Sequence, residues 1–245
     1  KMILYNGLDI LDVAIDITDS YELKDPEKSS LMIVDVVKGF CMPGAGNLAP
    51  AQPDEPIDRM VKGIAKLAKD WKGDIFVFKD AHQPGKLESP YPTHCEIGSG
   101  EEELMPELEF LNGPWKGQEN VYHIKKDCIN GFIGSITNLA RHTLMPLPAT
   151  IARKEIETIV VVGICTDICV MQLVQVLLSA RNHKMLGKVK DIVVVEPLCT
   201  TYNLQMETAS KLGLPVTAAH PRALTQYMGL YYMQQSGAII TKEVK

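Results

Sequence analysis

A chain of 245 residues, 46% of them hydrophobic, can bury one large α/β core, and its net charge of −5 argues against nucleic acid or an anionic membrane surface as a partner. No apolar run approaches the roughly 20 residues of a membrane span, and Lys1 to Lys28 lacks the charged-then-apolar order of a secretory signal. Six cysteines at irregular spacing do not read as a disulfide framework and point to a reduced, cytoplasmic setting.

Residues 1–28 read as an N-terminal extension containing a short helix or strand over Ile10 to Ile17, and residues 29–245 as a single domain. Ser30 to Val34 is the first strand and ends at Asp35. A Gly- and Pro-rich loop, Phe40 to Pro56, leads into a helix from Glu55 to Trp71, whose Ile57, Met60, Val61, Ile64, Leu67 and Ala68 form one apolar face. The second strand lies within Asp74 to Lys79 and ends at Asp80. Ala81 to Gly100, with two histidines and no periodicity, is long for a loop in a compact domain, which points to function.

Asn120 to Ile124 is the third strand, followed by Lys125, Lys126 and Asp127. Phe132 to Leu144 reads as helical and Pro146 to Lys154 as a connecting insertion. Thr158 to His183 then gives a strand buried on both faces, Ile159 to Val162, a turn at Gly163, and a helix marked by Val170, Leu173, Val174, Leu177 and Leu178. A fifth strand (Ile192 to Val195), helices over Leu204 to Leu212 and Arg222 to Tyr231, and a last strand (Ala238 to Thr241) follow. Strands alternating with helices predict a three-layer, doubly wound α/β fold with a mostly parallel sheet.

In such a sheet the strand C-termini share one edge, where ligands bind. Asp35, Asp80 with His82, Lys125 or Lys126, and Cys169 all follow strand ends and so converge there. With Thr166 or Asp167 as N-cap, Cys169 falls at N2 or N3 of the helix, where free N–H groups and the macrodipole favour the thiolate and could receive an oxyanion. A buried structural thiol is the alternative. Asp35 beside Cys169 would be general base and then acid. Asp80, His82 and His94 offer a carboxylate and two imidazoles suited to Zn²⁺ or Fe²⁺, with Glu88 as a fourth candidate.

Asp35 five places before Phe40, Asp80-Ala-His82, Tyr91-Pro-Thr-His94-Cys, Lys126 six places before Phe132, and Gly163-Ile-Cys-Thr-Asp-Ile-Cys169-Val together resemble the isochorismatase-like cysteine hydrolases. Within that family the likeness is to the nicotinamidases, and among those to the longer plant-type enzymes. It runs from about Ser29 to Thr241 with the motifs in family order. The resemblance implies a catalytic triad of Asp35, Lys126 and Cys169, and metal ligands Asp80, His82 and His94 around one divalent ion, zinc first, with iron or manganese as alternatives. It implies Phe40 packed on a pyridine ring with Tyr91 as the facing wall, a cis peptide at Ile164–Cys165, and an oxyanion hole from the backbone N–H groups of Cys165 and Cys169.

Three departures stand out. Cys165 occupies a place where a small residue such as Ala is common, Glu88 stands where some relatives have His, and Lys125 adjoins Lys126. The expected activity is hydrolysis of the small molecule nicotinamide in NAD salvage. The alternatives are a related amidohydrolase acting on another small carboxamide or an N-carbamoyl compound, and a non-catalytic, thiol-bearing binding protein. A homo-oligomer is left open.

Overall fold

A computed structural model describes residues 14–113, 120–137 and 146–245. One seven-stranded sheet is built from β1 (Ile17–Thr18), β2 (Ser29–Val34), β3 (Asp74–Asp80), β4 (Val121–Lys126), β5 (Thr158–Ile164), β6 (Asp191–Thr200) and β7 (Ile239–Thr241), in the spatial order β1-β7-β6-β5-β2-β3-β4. Every pairing between these strands is parallel.

The central strands are buried on both faces, and alternate residues feed two cores. Met32, Val34, Phe76, Phe78, Ile159 and Val161 face one layer, with α3 (Gly131–Thr137), α4 (Leu147–Arg153), α5 (Met171–Asn182) and α7 (Arg222–Gln235). Leu31, Ile33, Ile75, Val77, Val160 and Val162 face the other, against α2 (Glu55–Asp70). Each fully buried side chain of this size contributes roughly 1.5–3 kcal/mol relative to an exposed one. The short helices α1 (Lys38–Cys41) and α6 (Met206–Lys211) follow strand ends at the rim. Asp54 caps α2 by accepting from the N–H of Ile57 at 3.2 Å, and Pro56 sits in the first turn, where its missing N–H costs nothing.

Three elements depart from the sequence expectations, and a fourth is described only in part. Ile17–Thr18, ahead of the domain boundary drawn at Ser29, pairs with β7 as an edge strand, and Tyr21 and Leu23 donate to the carbonyls of Glu243 and Lys245. The remainder of the Ile10 to Ile17 element lies largely outside the described residues. Leu147–Arg153 is a helix where a connecting insertion is expected; Pro148 sits in its first turn, a position that starts helices. The helix expected over Phe132 to Leu144 is observed through Thr137, its remainder lying outside the described residues. β6 runs on to Thr200 past an irregularity in its register with β5. Among the described residues no helix is long and apolar enough to cross a membrane.

Candidate active site

The C-terminal edge of β2, β3, β4 and β5 gathers the side chains that the sequence singles out. Asp35 turns off β2 with a left-handed backbone (φ 54°), and its N–H donates to the carbonyl of Phe78 at 3.0 Å, leaving its carboxylate fully buried. Lys126 ends β4 in register with Asp80 at the end of β3, so both side chains leave the same face. Of the two adjacent lysines it is Lys126 that is buried, at 0% exposure, while Lys125 is exposed. Gly134 of α3 makes room for it, since a Cβ there would lie 2.5 Å from Lys126 Cβ.

Lys126 Nζ stands 2.8 Å from Asp35 Oδ2, 3.2 Å from Asp80 Oδ1 and 3.9 Å from Cys169 Sγ. One ammonium thus sits among two carboxylates and the sulfur. Its contact with Asp35 is a buried ion pair, and the Cys169 thiol is a further polar group that faces the same carboxylate.

Cys169 lies in a π-helical turn, Thr166–Val170, that precedes α5, and the N–H of Val170 reaches back five residues to the carbonyl of Cys165 at 3.1 Å. The expected placement at N2 or N3 of an α-helix capped by Thr166 or Asp167 is corrected: Cys165 is the capping residue and no side chain caps the turn. The Ile164–Cys165 peptide is cis. Cys169 as a residue is 9% exposed.

Burial pushes the Asp35 carboxyl up to about 6, against the pull of Lys126. Burial also opposes ionisation of Asp80, yet the Lys126 ammonium holds it well below the usual carboxylate range. Burial works against the charge on Lys126, but Asp35, Cys169 and Asp80 outweigh it and hold its pKa well above the ordinary lysine value. Burial raises the Cys169 thiol well above its ordinary value, with Lys126 opposing. Burial thus works against the readily ionised thiol that the sequence suggests, and Lys126 is the neighbour that favours it.

Asp80, His82, Glu88 and His94 bring ligand atoms within 4.8 Å of one another. His82 Nε2 and His94 Nε2 lie 3.2 and 3.0 Å from the same oxygen, Asp80 Oδ2, and Glu88 Oε2 is 3.7 and 3.8 Å from the two nitrogens. His94 Nδ1 lies 2.7 Å from the carbonyl of Pro92, which fixes the proton there and leaves the Nε2 lone pair facing Asp80. Lone pairs converging on a carboxylate need positive charge between them. Donors each about 2 Å from a tetrahedral Zn²⁺ are themselves about 3 Å apart, so this set fits a divalent cation. Glu88 is further constrained, its Oε1 accepting from the N–H of Ile129 at 2.8 Å.

Phe40 and Tyr91 flank this pocket, their rings 5.6 and 6.2 Å from that of His94. Sequence reasoning missed a third aromatic, Tyr202, which follows β6 at the same edge and stacks on His220 at 3.8 Å between ring centres. It also missed the contact of His220 with Asp167. The strand-end rule applied to Ile192 to Val195 points to Glu196, and Tyr202 comes into view only because β6 runs on to Thr200. No signal at the 53-residue separation of Asp167 and His220 would have found their contact.

Residues 29–220 match the isochorismatase domain family. Over 235 residues the chain is 39% identical to Nicotinamidase 1 of Arabidopsis thaliana, covering 95% of this chain and 93% of that protein. The pyrazinamidase/nicotinamidase of Streptococcus mutans UA159 superposes with a TM-score of 0.61 at 20% identity, covering 86% of this chain and 99% of that one. PnC1 of L. infantum, in complex with nicotinate, superposes with a TM-score of 0.59 at 16% identity, covering 94% of this chain and all of that one, 100%. At these identities the two structures speak to the fold alone.

Proposed function

The chain belongs to the isochorismatase family, and on that premise we propose that it is a nicotinamidase, hydrolysing nicotinamide to nicotinate and ammonia through a thioester on Cys169. The observation that carries the reading is the Lys126 ammonium held 2.8 Å from Asp35 and 3.9 Å from Cys169, beside a four-residue pocket fit for a cation. A binding protein has no need of a buried base, cation and thiol in mutual contact.

In the proposed reaction Asp35 accepts the proton of the Cys169 thiol, and the Lys126 ammonium stabilises the thiolate so formed. The thiolate adds to the carboxamide carbon, and the backbone N–H groups of Cys165 and Cys169 receive the oxyanion. Asp35 returns the proton to the amide nitrogen, the C–N bond breaks and ammonia leaves. A water molecule, giving its proton to Asp35, then adds to the thioester carbon, and the C–S bond breaks to release nicotinate and restore the thiol. Phe40 and Tyr91 hold the pyridine ring between them.

Asp80, His82, His94 and Glu88 would hold the divalent cation, zinc first, which when bound supplies a Lewis-acidic positive charge for a ring nitrogen or a water. The product returns nicotinamide to pyridine nucleotide synthesis, and a cytoplasmic setting suits six free cysteines. The test is ammonia release from nicotinamide by wild type and by Cys169→Ala. Loss of turnover in the variant is expected, and activity near wild type would remove the covalent step. Turnover of an N-carbamoyl compound with none of nicotinamide or pyrazinamide would move the assignment to another amide.

A further inference from the structure

Resting on the nicotinamidase reading, we propose that Asp167 and His220 are positioning residues for the nucleophile, their contact fastening the turn that bears Cys169 to the opposite rim of the site. Asp167 is the second residue of the Thr166–Val170 turn, two places before Cys169. Its Oδ2 lies 2.7 Å from His220 Nε2, in the range of a charge-assisted hydrogen bond, with both side chains largely shielded from solvent.

His220 is itself clamped. Its Nδ1 lies 3.0 Å from the carbonyl of Tyr202 and 3.4 Å from Thr225 Oγ1, and its ring stacks on that of Tyr202 at 12°. Its backbone exchanges two hydrogen bonds with Leu204, at 2.9 and 2.6 Å. Arg222 continues the chain of contacts, donating from Nε to the carbonyl of Thr201 and from Nη2 to the Asp54 carboxylate, both at 2.6 Å. Asp54 is the cap of α2, so the rim from Thr201 to Arg222 is tied to a helix in the opposite layer.

The turn is pressed from its other side as well. A Cβ at Gly229 of α7 would lie 2.7 Å from Asp167 Cα, so α7 packs directly on the backbone there. No side chain caps the turn, and the buried Thr166 hydroxyl has no hydrogen-bond partner among the described residues. Asp167 therefore supplies the tether that a capping residue gives elsewhere. Its leverage is on Cys169, because a displacement of about 1 Å of a catalytic group costs on the order of 10²-fold in rate.

Two measurements test the tether: steady-state kinetics with nicotinamide, and the alkylation rate of Cys169 by iodoacetamide followed on its peptide by mass spectrometry. Asp167→Ala and His220→Ala are expected to lose about tenfold or more in kcat with KM changed less than about threefold, and to alkylate at least about threefold more slowly. Asp167→Asn is the conservative rescue. Its amide can donate to His220 Nε2 while Nδ1–H still donates to Tyr202, so it should recover kcat to within about threefold of wild type.

Asp167→Ala alters the turn itself, so His220→Ala, which alters only the rim, carries the test should the first variant fail to fold by thermal melting. A His220→Ala enzyme with kcat within about twofold of wild type overturns the proposal, as does a rise in KM alone, equal loss in Asp167→Asn and Asp167→Ala, or unchanged or faster alkylation. Absence of nicotinamide turnover by wild type would sink the substrate reading, whereas the alkylation rates test the tether regardless of substrate.

Discussion

Lys126 reaches across β3 to Asp35, Nζ to Oδ2 2.8 Å, and neither side chain has any exposed surface. A buried cation placed between two carboxylates is costly to remove, because each partner is then left charged in a low dielectric.

Lys126→Met should therefore lose both activity and stability. About 3–5 kcal/mol of destabilisation is expected, the usual consequence of stripping one partner from a buried ion pair. Denaturant melts measure it, and a variant as stable as wild type would contradict the buried network.

Acid should silence the enzyme through Asp35. The carboxyl, raised by burial to about 6, must be ionised to take the thiol proton, so kcat/KM should fall tenfold per pH unit below that value. A bound divalent cation nearby favours the carboxylate and would move the limb downward. Asp35→Asn should abolish turnover and leave no such limb, and a flat acid profile in wild type would refute the assignment.

Removing the cation should lower the melting temperature as well as turnover. Dialysis against a chelator is expected to destabilise wild type, with zinc restoring it in a concentration-dependent way. His82→Ala and His94→Ala should be insensitive to both treatments in differential scanning calorimetry. Wild-type melting indifferent to chelator and zinc alike would argue that Asp80, His82, Glu88 and His94 hold no ion.

Phe40→Ala should weaken substrate binding more than chemistry. Losing one aromatic wall of a ring pocket removes buried area and about 0.5–1.5 kcal/mol of stacking. KM for nicotinamide should rise about tenfold with kcat changed less than threefold. A collapse of kcat at constant KM would instead put Phe40 at the reacting carbon.

Much of the scaffold was legible because its strands are unbroken apolar runs such as Ile159 to Val162, and a parallel sheet brings its strand ends together by topology. Asp35, Asp80 and Cys169 follow from that rule alone, whereas choosing Lys126 over Lys125 needed the family spacing. Other features were hidden for physical reasons. A π turn adds one residue without disturbing the apolar pattern of α5, so the local setting of Cys169 was misread. Pro146 to Lys154 reads as a connecting insertion, whereas Pro146 and Pro148 open α4. Two residues, Ile17 and Thr18, are too few to show a strand period. The raised thiol of Cys169 depends on desolvation by neighbours distant in sequence, which local reasoning from a helix terminus cannot supply.

The order of the strands has a consequence of its own. From β2 the chain winds outward through β3 to β4, and from β5 it winds the other way through β6 to β7, so β2 and β5 form a seam between two half-sheets. The chain up to Thr137 supplies Asp35, Lys126 and all four candidate ligands, the chain from Leu147 on supplies the sulfur, and β1 crosses over to clasp β7 on the far edge. The proposed nucleophile and its proposed base therefore meet only where β2 zips to β5, so a lesion that parts those two strands should disarm the proposed site.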